Sequence, residues 1–562
     1  MSGHLLCGLA ANPALPAELL DRLIDGLLAR PASGPDESPA ESPDEADAEL
    51  ALALSGRADL GPARVAALAA CDEDAALHLA RAGLLDAAGV DPAARPAVAL
   101  ALLDEGAGPP GWARLLAAHP DREIRRRLAS VPGLPLDVLE ALAADPDVEV
   151  VAELALWTTE PSVAARLAAH PHAEVRRGAA SNEAAPPAAL AALITGEGLA
   201  PARSCLVCDR EEIPFTHDPY CPRTDCALRG GAACAGGHES TLHEIRQQAA
   251  RNPATPTAAA ASLDGHPSLL IRWALAERTD LPQELYARLA EDPIPGVRSE
   301  VAGNPAIGEP LIRAMAARCG KGAQGGAGGD EVAHSLARHP RLPLDVLAHL
   351  ARETRIGPAL LPRIAGAAPA ELARAAASAD SRVRMLVAQR RDLAPELRDT
   401  LAADTDAAVV KAVVPHPGLS EERLRAMVGL HGVRVLARVA ANPDAPPALL
   451  EELARHDPPV RRAFREIAGH PNATAGALLP ALADERARPR AARHPALPAA
   501  VLADLLTDPD PEVARAAAAN PSLPVDVMTG LLGDLLTHRW GERDEASDRR
   551  PSGPRPGRPP RG

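Results

Sequence analysis

The chain has 562 residues and a formal charge of −16, from 59 Lys and Arg against 75 Asp and Glu. That sign argues against a protein whose main affinity comes from neutralising phosphates, and no apolar run reaches the ~18 residues of a membrane span. Two Phe, two Tyr and four Trp exclude a core built on aromatic area, while 58 Pro, which cannot sit in helix interiors, must separate many short helices.

Residues 1–30 begin MSGHLLCGLAANP, without the basic start and long apolar stretch of a signal peptide, so a cytoplasmic chain is expected. Asn12-Pro13-Ala14-Leu15-Pro16 is a faint copy of a motif that recurs later, and this segment is read as an N-terminal helical repeat. Residues 31–49 carry Pro, Ser and seven acidic side chains with no basic one, a composition that predicts a disordered acidic linker. From 50 to 195 an N-terminal α-solenoid is predicted. Its first part is degraded, with Val65, Leu68 and Ala69 still at helical spacing, and its repeat becomes clear from residue 119.

The unit is most legible at 279–305. Leu-Pro opens one helix, Asp-Pro separates it from a second that contains Val-Arg, and Asn-Pro closes the second. Pro417 to Pro443 and Pro495 to Pro521 each step by 26 residues. Asp292 and Asp508, each before Pro, are expected to N-cap the Val-Arg helix, called helix A below. Asn304 and Asn520 are expected to stop it in a left-handed conformation. Val297 and Val301 share its buried face, whereas Arg298 and Arg176 are expected to point away from it. Leu-Pro, as at Leu134-Pro135 and Leu523-Pro524, opens helix B. A pair this short cannot bury its apolar faces alone, so the units must stack into an all-α solenoid. Leu285, Leu289, Val297, Leu450, Leu453 and Val513 are expected to be buried, and Arg298 and Arg515 not fully so.

Residues 196–244 interrupt the repeat. Between Glu183, at a closing-proline position, and Pro253 lie 70 residues, one 26-residue unit plus about 44 more. Cys205-x2-Cys208 is followed by Cys221 and Cys226, two short-spaced pairs that suit one tetrahedral zinc site of four cysteines. Cys234 and His238 are alternate ligands, with His217 and His243 as further alternatives nearby. Four thiolates would close the zinc shell and make the ion structural. A 4Fe-4S cluster is the rival, since four cysteines suffice, although neither ferredoxin spacing is present.

Residues 245–537 form the C-terminal α-solenoid, with a Gly-rich loop at 319–330 that lacks the pattern of a phosphate loop. Residues 538–562 form a basic, Pro-rich tail expected to be disordered.

On these motifs, from 119 to 195 and from 246 to 536, the unit resembles the leucine-rich repeat variant, an all-helical, HEAT-like repeat. The resemblance implies a short α-helix alternating with a 3₁₀-type helix. It also implies an iron-sulfur alternative, because one branch of that family carries a Cys cluster at its N-terminus; here the cluster lies mid-chain.

No catalytic motif is found. His238 and His243 are five apart, which is not the H-E-x-x-H spacing. His119, His170, His266, His339, His416, His470 and His494 each precede Pro and read as turn and cap residues. The reading is a non-enzymatic scaffold that binds a protein partner of unknown identity through an extended surface, with no membrane partner and no small-molecule substrate. The alternatives are an iron-sulfur redox or regulatory protein, and a nucleic-acid-binding helical-repeat protein, which would require a continuous stripe of the Val-Arg arginines.

Overall fold

The computed structural model describes residues 2–28, 43–209, 237–319 and 329–536. The acidic segment 31–42, the Gly-rich stretch 320–328, the tail from 537 and the insert residues 210–236 lie outside them. Residues 43–49, expected in the linker, instead belong to the helix Pro43–Ser55. Among the described residues the chain is helical throughout, with one isolated bridge between His172 and Ser204 in place of any strand. Both helices of the unit are α, as in Leu269–Glu277 with Gln283–Leu289. The expected alternation with 3₁₀ helix is therefore absent among them, and the sole 3₁₀ element there is Ala87–Gly89.

The chain divides into two compact units that cut across the predicted boundaries. One joins Met1–Gly89 to Val414–Gly562, and the other is Val90–Val413.

The core is thin and aliphatic, as the composition requires. Leu285, Leu289, Val297, Leu450, Leu453 and Val513 are all buried, and Arg298 and Arg515 are half-buried. What locks one repeat onto the next is polar. Asn304 is buried in an extended conformation (φ −71°, ψ 120°), not a left-handed one. Its Nδ2 donates to Ala276 O (2.7 Å) and Arg278 O (2.5 Å) of the preceding repeat, and its Oδ1 accepts the Ala306 N–H (2.9 Å). An amide does this because it carries donors and an acceptor on one planar group.

Histidine at the same slot reproduces the bonding. His339 Nε2 pairs with Asn304 O at 2.9 Å while Nδ1 accepts the Arg341 N–H at 3.1 Å. His470 and His494 repeat the pattern toward Asn442 O and His470 O. A third solution is Arg-x-Asp. Arg278 donates to Ala250 O, Asn252 O and Thr255 O and is held by Asp280.

The boundary from helix B to helix A has its own staple. Asp508 is not the cap; helix A starts later, at Pro511, and Asp510 is the N-cap, accepting the Glu512 N–H. Likewise the helix after Asp292 begins at Pro295. The buried aspartate accepts the N–H two residues on and receives the Val-Arg type guanidinium of the preceding repeat. Arg272 reaches Asp292 at 2.6 Å and also bonds His266 O and Pro267 O. Arg125 with Asp145 and Arg384 with Asp404 are equivalent. Arg125, Arg272 and Arg384 are thus committed to the fold, whereas Arg461 of the Val460-Arg461 pair is exposed.

Within the first unit, the N-terminal segment stacks on the C-terminal repeats. Asn12 Nδ2 donates to Ala518 O (2.9 Å) and Asn520 O (2.7 Å), as Asn520 does to Ala492 O and His494 O. Arg57 continues the ladder onto Ala10 O and Asn12 O. The helix Ser2–Ala10 approaches so closely that a Cβ on Gly8 would lie 2.4 Å from Arg515 O, and only glycine fits there.

Candidate metal centre

The insert leaves the solenoid after the helix Pro187–Thr195 and Gly196, whose left-handed backbone (φ 75°) ends that helix. The outgoing stretch of chain runs past the N-terminus of the helix Ala173–Ser181. Arg203 N–H bonds Pro171 O, and Ala173 N–H bonds Ser204 O, both at 2.8 Å. Arg176, expected to point away, is buried here and donates to His170 O and to Ala200 O of the outgoing chain. Equivalent arginines have an aspartate twenty residues on; that position is Gly196, so a carbonyl takes the carboxylate's place. Burial accordingly pulls the Arg176 guanidinium below its ordinary value.

These contacts fix the turn that carries the thiols. Asp209 N–H returns to Cys205 O, and the Asp209 carboxylate accepts from Ser204 Oγ (2.6 Å) and pairs with His172 Nε2 (2.9 Å). Burial pushes that carboxyl up, but the bonds from Ser204 and His172 outweigh it and hold it below the usual aspartate value. Cys205 is 1% exposed and Val207 is fully buried, so the turn is part of the packed body.

The chain re-enters at His238, which precedes the helix Glu239–Arg251. His238 has φ 58° and is buried, the one left-handed non-glycine among the described residues. Cys205 Sγ lies 3.6 Å from Cys208 Sγ, and Cys208 Sγ lies 3.4 Å from His238 Nδ1. All three atoms fall within 4.8 Å of one another. Tetrahedral bonds of about 2.3 Å to sulfur and about 2.0 Å to nitrogen imply edges of about 3.8 Å for S to S and about 3.5 Å for S to N. Both short edges match within a few tenths of an ångström, so the donor set fits zinc.

Of the sequence-predicted ligands, Cys205 and Cys208 lie side by side, and His238, held as an alternate, lies beside them. Cys221, Cys226, Cys234 and His217 lie outside the described residues. His243 is engaged elsewhere, 2.6 Å from Ser268 Oγ and stacked on His266. The signal that singled out His238 was weak, because a histidine 30 residues beyond the C-x2-C pair has no diagnostic spacing.

No family model matches the chain, and no curated protein matches it. Among solved structures it is similar to one of the Pds5-Scc1 complex, at 10% identity and a TM-score of 0.17, over 94% of this chain and 86% of that one. At that TM-score the likeness carries no argument about function. No helix among the described residues is long and apolar enough to cross a membrane.

Proposed function

We propose that this chain is a non-enzymatic scaffold that binds a protein partner along its solenoid, with a structural zinc ion in the Cys-rich insert. The repeats keep the punctuation of the leucine-rich repeat variant but, among the described residues, pair two α-helices in place of that family's alternation of α and 3₁₀ helix. The observation that carries the reading is the assignment of the polar side chains. The boundary Asn, His and Arg-Asp groups that resemble chemical machinery are used between repeats, and several apolar side chains face outward. Leu115 is 61% exposed and Leu136 58% exposed. Each adjoins in sequence one member of the Arg114–Asp137 ion pair, which joins two successive B helices, and both are apolar surface that a partner could cover. A nitrogen ligand beside two thiolates suits zinc better than an all-cysteine iron-sulfur cluster.

Affinity purification of the full chain, with and without Leu115→Asp plus Leu136→Asp, tests the scaffold reading. A partner retained by the wild type and lost from the folded double variant is the expected result. Equal retention would place binding elsewhere, and absence of any stoichiometric partner would sink the proposal. The purified protein should be colourless and contain one zinc; a brown protein with visible charge-transfer absorption would favour the iron-sulfur reading.

A further inference from the structure

Any insertion into a solenoid must return the chain to the register it left. Here Asn252 does so, donating Nδ2 to Ala180 O (3.0 Å) and Asn182 O (2.9 Å), the two asparagines standing 70 positions apart. The ladder therefore runs unbroken beneath the insert, and the insert stands on two feet. The outgoing foot, 201–209, is bonded to the N-terminal edge of the helix Ala173–Ser181 and carries both Cys205 and Cys208. The returning foot is His238, at the start of the helix Glu239–Arg251.

We infer that the insert's metal ion is a clasp between these two feet. Cys205 Sγ, Cys208 Sγ and His238 Nδ1 occupy three corners of one tetrahedral site. The inference rests on the structural-zinc reading and deepens it by replacing one expected cysteine with a ligand from across the insert. A Cys205, Cys208, Cys221 and Cys226 set would close the insert on itself and leave the second helix untouched. With His238 the ion ties the chain beside one helix A to the N-terminus of the next.

Two independent features favour the clasp. The observed edges of 3.6 and 3.4 Å are those of a tetrahedral site containing nitrogen. His238 is also buried in a left-handed conformation that residues with a Cβ adopt uncommonly. On binding, the two thiols lose their protons to solvent and imidazole coordinates in its neutral form, so loading releases protons and weakens at low pH. Without metal, the outgoing turn and the first turn of Glu239–Arg251 should open locally, while the Asn252 ladder persists because neighbouring repeats carry it.

The test uses the full-length chain. X-ray absorption of the zinc-loaded wild type should show one nitrogen shell at about 2.0 Å beside sulfur at about 2.3 Å. His238→Ala should lose that nitrogen shell and weaken zinc binding by more than the ~100-fold that an outer-shell partner costs. It should also raise amide exchange about tenfold or more at 201–209 and 239–243, with exchange at Asn252 unchanged. His238→Cys should recover both zinc and protection as an all-sulfur site, which separates ligation from packing of the ring. Zinc bound only by sulfur, with protection at 239–243 unaltered in His238→Ala, would overturn the clasp and leave the structural-zinc reading standing. A wild-type chain that binds no zinc would overturn both.

Discussion

Asn520 is fully buried and makes three hydrogen bonds at 2.8–2.9 Å, to Ala492 O, to His494 O and from Ser522 N–H. Asn520→Ala removes all three. His494 O keeps its bond from Leu497 N–H at 3.2 Å, so the groups stranded worst are Ala492 O and Ser522 N–H. At about 1 kcal/mol net for each lost bond, and a further 1–3 kcal/mol where a buried group is left without a partner, the cost is roughly 4–6 kcal/mol. Asn520→Asp should be at least as damaging, because it turns a donor facing two carbonyls into a charged acceptor. Asn520→His should cost less than about 1.5 kcal/mol, since imidazole makes the corresponding bonds at 339, 470 and 494. A repeat array opens locally, so the assay is native-state amide exchange over 511–536 rather than one global melting curve. Alanine should lower protection there by about three to four orders of magnitude, at about 1.4 kcal/mol per tenfold change. Shifts below about fivefold for both Ala and Asp would refute the claim that the ladder stabilises the stack.

Three further outcomes are expected. Burial holds His339 below the ordinary histidine value against the opposing effect of Asn304 O, so its contribution to stability is present above about pH 6.5 and is lost as pH falls through the lower folded value. His339→Asn should flatten the acid side of the stability profile, and an unchanged acid limb would refute this. Burial and the neighbouring Glu277 charge raise Glu300, so its contribution is present at low pH and lost as pH rises through the raised value. Glu300→Gln should therefore increase the thermal midpoint at pH 7 with little effect near pH 4; a lower midpoint at pH 7 would contradict it. Cys208→Ser should release zinc and leave most of the far-ultraviolet helical signal, and loss of all helicity would mean that the insert nucleates the array.

The repeat was readable because its punctuation is local. Asn-Pro, His-Pro and Leu-Pro mark helix ends through backbone geometry that acts within a few residues, and the aliphatic spacing between them selects the buried face. The same local reasoning misplaced the caps. Asp508 looks like an N-cap beside its proline, yet its carboxylate is buried in an ion pair with Arg488, and Asp510 caps the helix instead. Asn304 looks like a left-handed stop, yet its amide is worth more across the repeat than at its own helix end. Of the candidate site, the C-x2-C pair was legible because both thiols sit on one turn.

By itself, then, the sequence determined where helices start and stop, the repeat length and which side chains are apolar, because these depend on neighbours within about one turn. Tertiary structure alone decided which polar groups meet. Asn12 finds Asn520 O across 508 positions, and His238 finds Cys208 across 30, because each has a hydrogen-bonding or coordination requirement that only a distant backbone or side chain satisfies once it is buried.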